Sequence, residues 1–219
     1  MTLTIGCLHA HSLNIPYIEQ AFKDIDVTLS HVVDTELIQL LRTNVANEQL
    51  SKQVIQQLHE IECTGVEFIL VTCTNYITLL EDQVLNLKVP VLKIDTPFFE
   101  QVSQSTKPIK LLFTNQATVK DTMKRFASYN SLDSEQEIEV VVIPETFDLF
   151  LAGKSIEHDQ RIIEYLVGQD LYGYTVAVAQ LSMSGAAKMY SNITGEEVIN
   201  LLDTLREYLV EKLNLQIVK

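Results

Sequence analysis

The sequence predicts an α/β protein built from two pseudo-symmetric half-domains, each with a short, mostly parallel sheet flanked by helices. Short β-branched runs alternate with longer amphipathic ones along the whole chain. The near-continuous apolar run Val66–Val71 is typical of a parallel strand that is covered on both faces. The order of strands and helices then repeats, and the third strand of each half ends about 70 positions after the first begins, at Cys73 and at Gln180.

The first half is predicted to span residues 1–100. Ser12 is a candidate N-cap with Pro16 in the first turn of its helix, and Leu50, Val54 and Leu58 recur at helical spacing. The predicted strands are Leu3–Leu8, Val27–Val33, Val66–Val71 and Val89–Ile94. The predicted helices are Ser12–Phe22, a helix that Asp34 caps and that runs to Arg42, Ala46–Glu62 and Asn75–Val84.

The second half is predicted to span residues 101–200, with Gln101–Pro108 as the best hinge candidate. The predicted strands are Ile109–Phe113, Ile138–Ile143 and Tyr174–Ala179, and the predicted helices are Gln116–Tyr129, Ser155–Val167, one that follows Gln180–Ala187, and Leu201–Leu213. Thr194–Glu197 has the pattern of a capping box, whereas Val198–Asn200 fits a short eighth strand, and the sequence leaves both open.

Strand–helix alternation favours right-handed crossovers and parallel sheets. Ligands in open α/β sheets bind at the carboxyl ends of the strands. We therefore expect the active site in the cleft between the two half-domains, at these strand ends.

Composition excludes several classes of function. The net charge is −13 and the pI about 4.7, so a phosphate backbone would be repelled, and no basic helix suggests a membrane surface. Three sparse cysteines argue against a disulfide framework. The N-terminus lacks a basic leader and no apolar run reaches ~18 residues, so a cytoplasmic protein without nucleic-acid or membrane partners is expected.

Cys73 is the strongest candidate for chemistry. It ends a strand and precedes a helix, and the N-terminus of a helix can lower the pKa of a thiol below its free value of ~8.5. Thr72, Thr74 and Asn75 surround it with polar groups. The alternative is a small buried hydrophobe in a strand-to-helix turn.

Other polar residues stand at predicted strand ends or helix starts, where they could bind a ligand: Thr74, Asn75, Thr114, Thr118, Ser182 and Ser184. Such residues also cap helices, and the two roles can coexist.

Cys7, His9 and His11 alternate along the end of the first strand. They could form a metal triad, His9 or His11 could contact substrate, or the segment could be an ordinary polar loop. We favour His9 as a substrate contact and predict no metal. A metal-dependent hydrolase built on His9 and His11 stays as an alternative.

The remaining histidines and Cys63 carry weaker expectations. His31 and Asp34 are predicted to form a polar pair, His59 and His158 to lie on solvated helix faces, and Cys63 to be inert.

These motifs, in this order, resemble the aspartate/glutamate racemase superfamily, which includes hydantoin racemases, over most of the chain. The motifs are L-H-A-H-S-L-N-I-P (Leu8–Pro16), H-V-V-D-T-E-L (His31–Leu37), the Cys73 turn, F-T-N-Q-A-T-V (Phe113–Val119) and A-Q-L-S-M-S (Ala179–Ser184).

The resemblance implies a cofactor-independent isomerase acting on a small carboxylate, with Cys73 as acid/base or nucleophile. It implies carboxylate binding by Thr74, Asn75, Thr114 and Thr118, and a C-terminal helix within 201–219 that can pack on the first half. It is compatible with a homodimer.

The chain departs from the two-cysteine pattern because Gln180 occupies the position of the second cysteine and no cysteine follows Cys73. Gln180 and Ser182 then face Cys73, with Ser182 as the second catalytic candidate and Gln180 and Ser184 as binding groups. A decarboxylase, a hydrolase or an inactive carboxylate-binding protein on the same scaffold are the alternatives.

Overall fold

The computed structural model describes residues 2–40, 46–81, 83–129 and 136–217. The strands are β1 (Leu3–His9), β2 (Val27–Val33), β3 (Phe68–Val71), β4 (Val91–Lys93), β5 (Ile109–Phe113), β6 (Ile138–Val142), β7 (Thr175–Val178) and β8 (Val198–Asn200). The helices are α1 (Ile15–Phe22), α2 (Thr35–Leu40), α3 (Asn47–Cys63), α4 (Thr74–Leu79), α5 (Asp95–Ser103), α6 (Gln116–Phe126), α7 (Thr146–Leu151), α8 (Ser155–Val167), α9 (Ser184–Thr194) and α10 (Leu201–Leu213). Within those described ranges, no helix combines the length and the apolarity needed to cross a bilayer.

The chain divides into two compact units, one comprising Met1–Ile94 with Leu209–Lys219 and the other Asp95–Tyr208. Each unit holds a four-stranded, all-parallel sheet, in the order β2-β1-β3-β4 in unit 1 and β6-β5-β7-β8 in unit 2. The predicted α/β class with two short parallel sheets flanked by helices is confirmed.

The C-terminal segment of unit 1 pairs with the residues just before β2. Ile25 and Ile217 form an antiparallel bridge, and the Asp26 N–H donates to the Gln216 carbonyl oxygen. Gln216 and Ile217 thus extend the hydrogen bonding of the first unit.

Close packing of helix α3 on the sheet depends on Gly6 in β1. A Cβ atom at this position would lie 2.4 Å from Cγ2 of Ile61 in α3. Only glycine therefore lets this helix approach the central strand of unit 1 so closely. Strand β3 is buried along its whole length, as its apolar run predicted.

Short elements account for most differences from the sequence-based prediction. Helices α5 and α7, of nine and six residues, were not predicted, and α4 is six residues long rather than extending to Val84. Gln101–Ser103 of the hinge candidate lies inside α5. The predicted end of the second helix at Arg42 lies outside the described residues. The open choice near residue 195 resolves as a helix end at Gly195, with a left-handed φ of 78°, followed by β8.

A buried ion pair joins α5 to α6 in unit 2. Nε of Arg125 lies 2.8 Å from Oδ2 of Asp95, Nη2 lies 2.8 Å from Oδ1, and both side chains are almost wholly buried. The guanidinium also lies over the Phe99 ring. The bidentate geometry satisfies both charges, and removal of either would break a buried ion pair.

We expect Asp95→Asn to lower the free energy of unfolding by about 3–5 kcal/mol, because it breaks a buried ion pair. Chemical denaturation measures this change. The control is Lys52→Met, which removes the exposed i,i+4 pair of Lys52 with Glu48 and should leave stability nearly unchanged. Similar effects from the two substitutions would contradict a structural role for the buried pair.

Candidate active site

The carboxyl ends of β1, β2 and β3 lie side by side in unit 1. The Thr72 N–H donates to the Leu8 carbonyl oxygen at 3.1 Å, and the Asp34 N–H donates to the His9 carbonyl oxygen at 3.0 Å. Parallel pairing therefore places the residues that follow three strands at one edge of the sheet. Cys73 stands at this edge.

Cys73 is the N-cap of α4, with extended backbone angles, and its side chain is partly exposed. Burial raises the pKa of its thiol to about 11, and the backbone amides of Asn75 and Tyr76 oppose this shift without cancelling it. The expectation of a lowered pKa is therefore wrong in direction, because a six-residue helix offers less stabilisation of a thiolate than desolvation removes. At neutral pH the group is a thiol.

His9 is completely buried beside this turn, and both of its ring nitrogens are engaged by protein groups. Nδ1 lies 2.9 Å from Oγ1 of Thr72, and Nε2 lies 2.8 Å from Nδ1 of His31. Burial lowers the pKa of His9 to about 4, and the neighbouring His31 adds to the shift. Burial also lowers the pKa of His31, against the opposing effect of Glu19. A neutral histidine pair thus holds the hydroxyl of the residue before Cys73.

The histidine pair also bears on the metal hypothesis. Among the described residues, one group of possible ligand atoms lies within 4.8 Å of one another, and it consists of Cys7, His9 and His31. His31 thus stands in the place that the sequence analysis gave to His11. His31 replaces His11 because it is the register partner of Cys7 in β2. Two nitrogens bound to one zinc ion at ~2.0–2.1 Å would stand about 3.3 Å apart. The observed separation of the two ring nitrogens is 2.8 Å, which is a hydrogen-bonding distance.

In unit 2, the side chain of Gln180 closes a second polar cluster at the end of β7. Its Oε1 accepts from the Thr114 N–H at 2.6 Å, the Thr114 hydroxyl at 2.9 Å and the Asn115 N–H at 2.9 Å. Its Nε2 lies 3.4 Å from Oγ1 of Thr118. Three of the predicted binding residues, Thr114, Thr118 and Gln180, thus form hydrogen bonds to one another.

The other predicted site residues are distributed over both units. Thr74 and Asn75 form the first turn of α4 and are partly exposed. Ser182 and Ser184 are buried in the turn after β7 and at the start of α9, and the Ser184 hydroxyl has no hydrogen-bond partner among the residues described.

Several expectations for polar residues change. His158 is completely buried, 2.9 Å from Asp159 and against Phe150, so the predicted solvated face is wrong. Asp34 does not pair with His31 but accepts from the Leu37 N–H at the start of α2.

Sequence reasoning missed the roles of Thr72, Tyr76 and Asn115. The Tyr76 hydroxyl donates to the Asp34 carbonyl oxygen, and the Asn115 N–H donates to Gln180. Strand register was the signal that could have paired Thr72 with the end of β1.

The fold was compared with known structures. An aspartate racemase from Picrophilus torridus superimposes with a TM-score of 0.70 at 15% identity, covering 98% of this chain and 96% of that one. An aspartate racemase homologue from Pyrococcus horikoshii gives 0.67 at 16%, covering 98% and 100%. An allantoin racemase from Klebsiella pneumoniae gives 0.63 at 10%, covering 98% and 90%.

No protein-family model matches the sequence, and no curated protein matches it. At these identities the likeness establishes the fold, and the resemblance to the aspartate/glutamate racemase superfamily is confirmed at that level.

The His9 site predicts a pH dependence of stability. Above pH ~6.5 the ring is neutral in both the folded and the unfolded chain, so it contributes nothing to the slope. Between pH 6.5 and about 4 the unfolded chain binds a proton that folded His9 does not. The free energy of unfolding therefore decreases as the pH is lowered through this interval, by on the order of 3 kcal/mol.

Thermal unfolding of His9→Gln should therefore show a flatter acid limb than the wild type. The matched control is His59→Gln, at a partly exposed helical position, which should keep the wild-type slope. A wild-type slope in His9→Gln would mean that another group titrates.

The thiol of Cys73 should react slowly with a small alkylating agent at neutral pH, on the order of 100-fold more slowly than an ordinary cysteine, because a pKa near 11 leaves little thiolate. The rate should keep rising up to about pH 11. Mass spectrometry of the labelled peptides compares it with exposed Cys63 in the same sample. Rapid, pH-independent labelling of Cys73 at pH 7 would contradict the raised pKa.

Proposed function

We propose that this chain is a cofactor-independent isomerase acting on a small carboxylate, with Cys73 as the group that exchanges a proton with the carbon next to the carboxylate. The observation that carries the proposal is a partly exposed thiol at the carboxyl end of β3, on a fold shared with aspartate, glutamate and allantoin racemases. Catalytic groups in open α/β sheets occur at such strand ends.

The protonation state of Cys73 sets the order of events. A thiol with a raised pKa must first lose its proton to solvent, and the resulting thiolate then removes the proton from the substrate carbon. The carbanion regains a proton either from the same thiol or from the Ser182 hydroxyl, whose alkoxide is then reprotonated by solvent. The thiolate is costly in its buried setting, so binding of substrate would have to offset that cost. Thr72 and His9 are assigned as positioning groups, since the histidine holds the hydroxyl next to the sulfur-bearing residue.

One sulfur can return a proton only to the face from which it took it. Ser182 is proposed as the second proton-transfer group, and Ser184 as a binding group in the same turn. The partly exposed first turn of α4, with Thr74 and Asn75, is proposed to hold the substrate carboxylate. Thr114 and Thr118 keep this assignment only with Gln180 displaced, because Thr114 donates to that side chain and the Thr118 hydroxyl accepts from it.

A non-catalytic carboxylate-binding protein is the second candidate. It is supported by the raised pKa of the Cys73 thiol. It is also supported by the family resemblance, which assigns the position of the second cysteine to Gln180, whose amide cannot act as acid or base. A decarboxylase or a hydrolase would also use a single cysteine, as a proton donor or as a nucleophile respectively. A homodimer stays a prediction, which analytical ultracentrifugation can test.

The deciding experiment is hydrogen exchange in D₂O with a panel of chiral amino, hydroxy and dicarboxylic acids, followed at the α-proton by NMR. We expect exchange with the wild type and at least a 100-fold loss in Cys73→Ala, as removal of a proton-transfer group typically costs 10²–10⁴-fold. Cys63→Ala is the matched control, because it removes an exposed thiol elsewhere in unit 1.

The stereochemical outcome separates the candidates. Inversion that is lost in Ser182→Ala supports a two-group isomerase, whereas exchange with retention supports Cys73 alone. Release of CO₂ from a malonate-type acid would identify a decarboxylase. Saturable binding of a carboxylate with no exchange would replace the isomerase by the binding protein.

A further inference from the structure

Three hydrogen-bond donors converge on one oxygen atom in unit 2. The Thr114 N–H, the Thr114 hydroxyl and the Asn115 N–H all donate to Oε1 of Gln180, at 2.6, 2.9 and 2.9 Å. A neutral amide oxygen has two lone pairs, so a third donor exceeds what it accepts well. A carboxylate oxygen carries charge and forms stronger, shorter bonds to the same donors. The donor set therefore suits an oxyanion better than its present occupant.

Two of the three donors lie outside the helix that follows. The Thr114 N–H and hydroxyl belong to the residue directly after β5, and the third donor is the N–H of Asn115, the N-cap of α6. The side chain of Asn115 is occupied separately, since its Oδ1 accepts from the Ala117 N–H and caps α6. The convergence is thus built by the strand end itself, and Thr114 is 95% buried there.

Gln180 reaches this oxyanion hole from the end of β7. The two strands β5 and β7 are neighbours in the sheet, so the tether is short and fixed by strand pairing. The side chain is only half-buried, and solvent reaches the cluster. Beyond Cβ, the Gln180 side chain has the shape of acetamide, which is isosteric with acetate.

We propose that Gln180 is a tethered, neutral occupant of an oxyanion hole formed by Thr114 and Asn115, and that it excludes free carboxylates from this loop in the native chain. Gln180 is then a specificity-determining residue: with its side chain in place, the Thr114–Asn115 loop takes no small carboxylate, and with the side chain shortened it does. This inference concerns binding alone and does not rest on Cys73 being catalytic.

Chemical rescue tests the occupancy. In Gln180→Ala, acetate should raise the melting temperature by roughly 2–5 °C at high millimolar concentration and matched ionic strength, while acetamide should raise it less. The wild type should respond to neither. Gln136→Ala is the matched control, since it removes another hydrogen-bonded glutamine of unit 2 without touching the loop. An equal response to acetate and acetamide would overturn the oxyanion preference, and a wild-type response equal to that of Gln180→Ala would overturn the exclusion.

A second variant decides the matter if Gln180→Ala is unresponsive or fails to fold. Gln180→Glu places a tethered carboxylate in the same hole. If the hole favours an anion, the pKa of that carboxyl falls below its usual ~4.3, so the variant gains stability relative to wild type as pH rises from 3 to 6. If the site merely buries a neutral amide, the pKa rises and the variant loses stability over the same interval, which would overturn the proposal. Gln136→Glu, measured in parallel, corrects for the general effect of an added charge.

Discussion

Parallel strand pairing is the constraint on which both polar clusters depend. In a parallel sheet all strands end at the same edge, so residues far apart in sequence become neighbours there. In unit 1 this brings the end of β1 with His9 against Thr72, which follows β3. In unit 2 it brings Thr114, which follows β5, against Gln180, which follows β7. The two inner strands of each sheet thus supply one partner each.

Corresponding positions in the two sheets have opposite chemical character. Cys73 follows β3, is partly exposed, and has the backbone amides of Asn75 and Tyr76 near its sulfur. Gln180 follows β7, and its side-chain oxygen accepts three hydrogen bonds. The donors around Cys73 are too few to overcome burial, so the thiol stays protonated. The donors around Gln180 are more than its neutral oxygen requires. A negative charge would therefore be better stabilised at the position of the Gln180 oxygen than at the Cys73 sulfur.

Periodicity predicted the strands well because they are short, mostly apolar runs rich in β-branched residues. The run Val66–Val71 is the clearest case, and β3 within it is buried along its whole length. It missed α5 and α7, which are too short for a period to be evident. The equally short α1, α2 and α4 were predicted because polar residues such as Ser12, Asp34 and Asn75 mark their starts. The candidates Cys73, Thr114 and Thr118 followed from their places at strand ends. The partners of Gln180 and His9 did not, because they depend on which strands are neighbours and on which face each side chain points to. The sign of the Cys73 shift depends on burial, which no local pattern gives.

The hydrogen-bond chain behind Cys73 assigns the tautomers of both histidines. The Thr72 hydroxyl donates to the Leu8 carbonyl oxygen, so it accepts from Nδ1–H of His9. Nε2 of His9 is then unprotonated and accepts from Nδ1–H of His31. This leaves Nε2 of His31 as an acceptor, 3.9 Å from a carboxylate oxygen of exposed Glu19. Protonation of Nε2 of His31 would create an N–H that faces the Glu19 carboxylate. The hydrogen bonds of His9 to His31 and to Thr72 would stay as they are. Glu19 opposes the lowering of the His31 pKa for the same reason, and the pair can take up charge at its outer end while its inner end stays neutral.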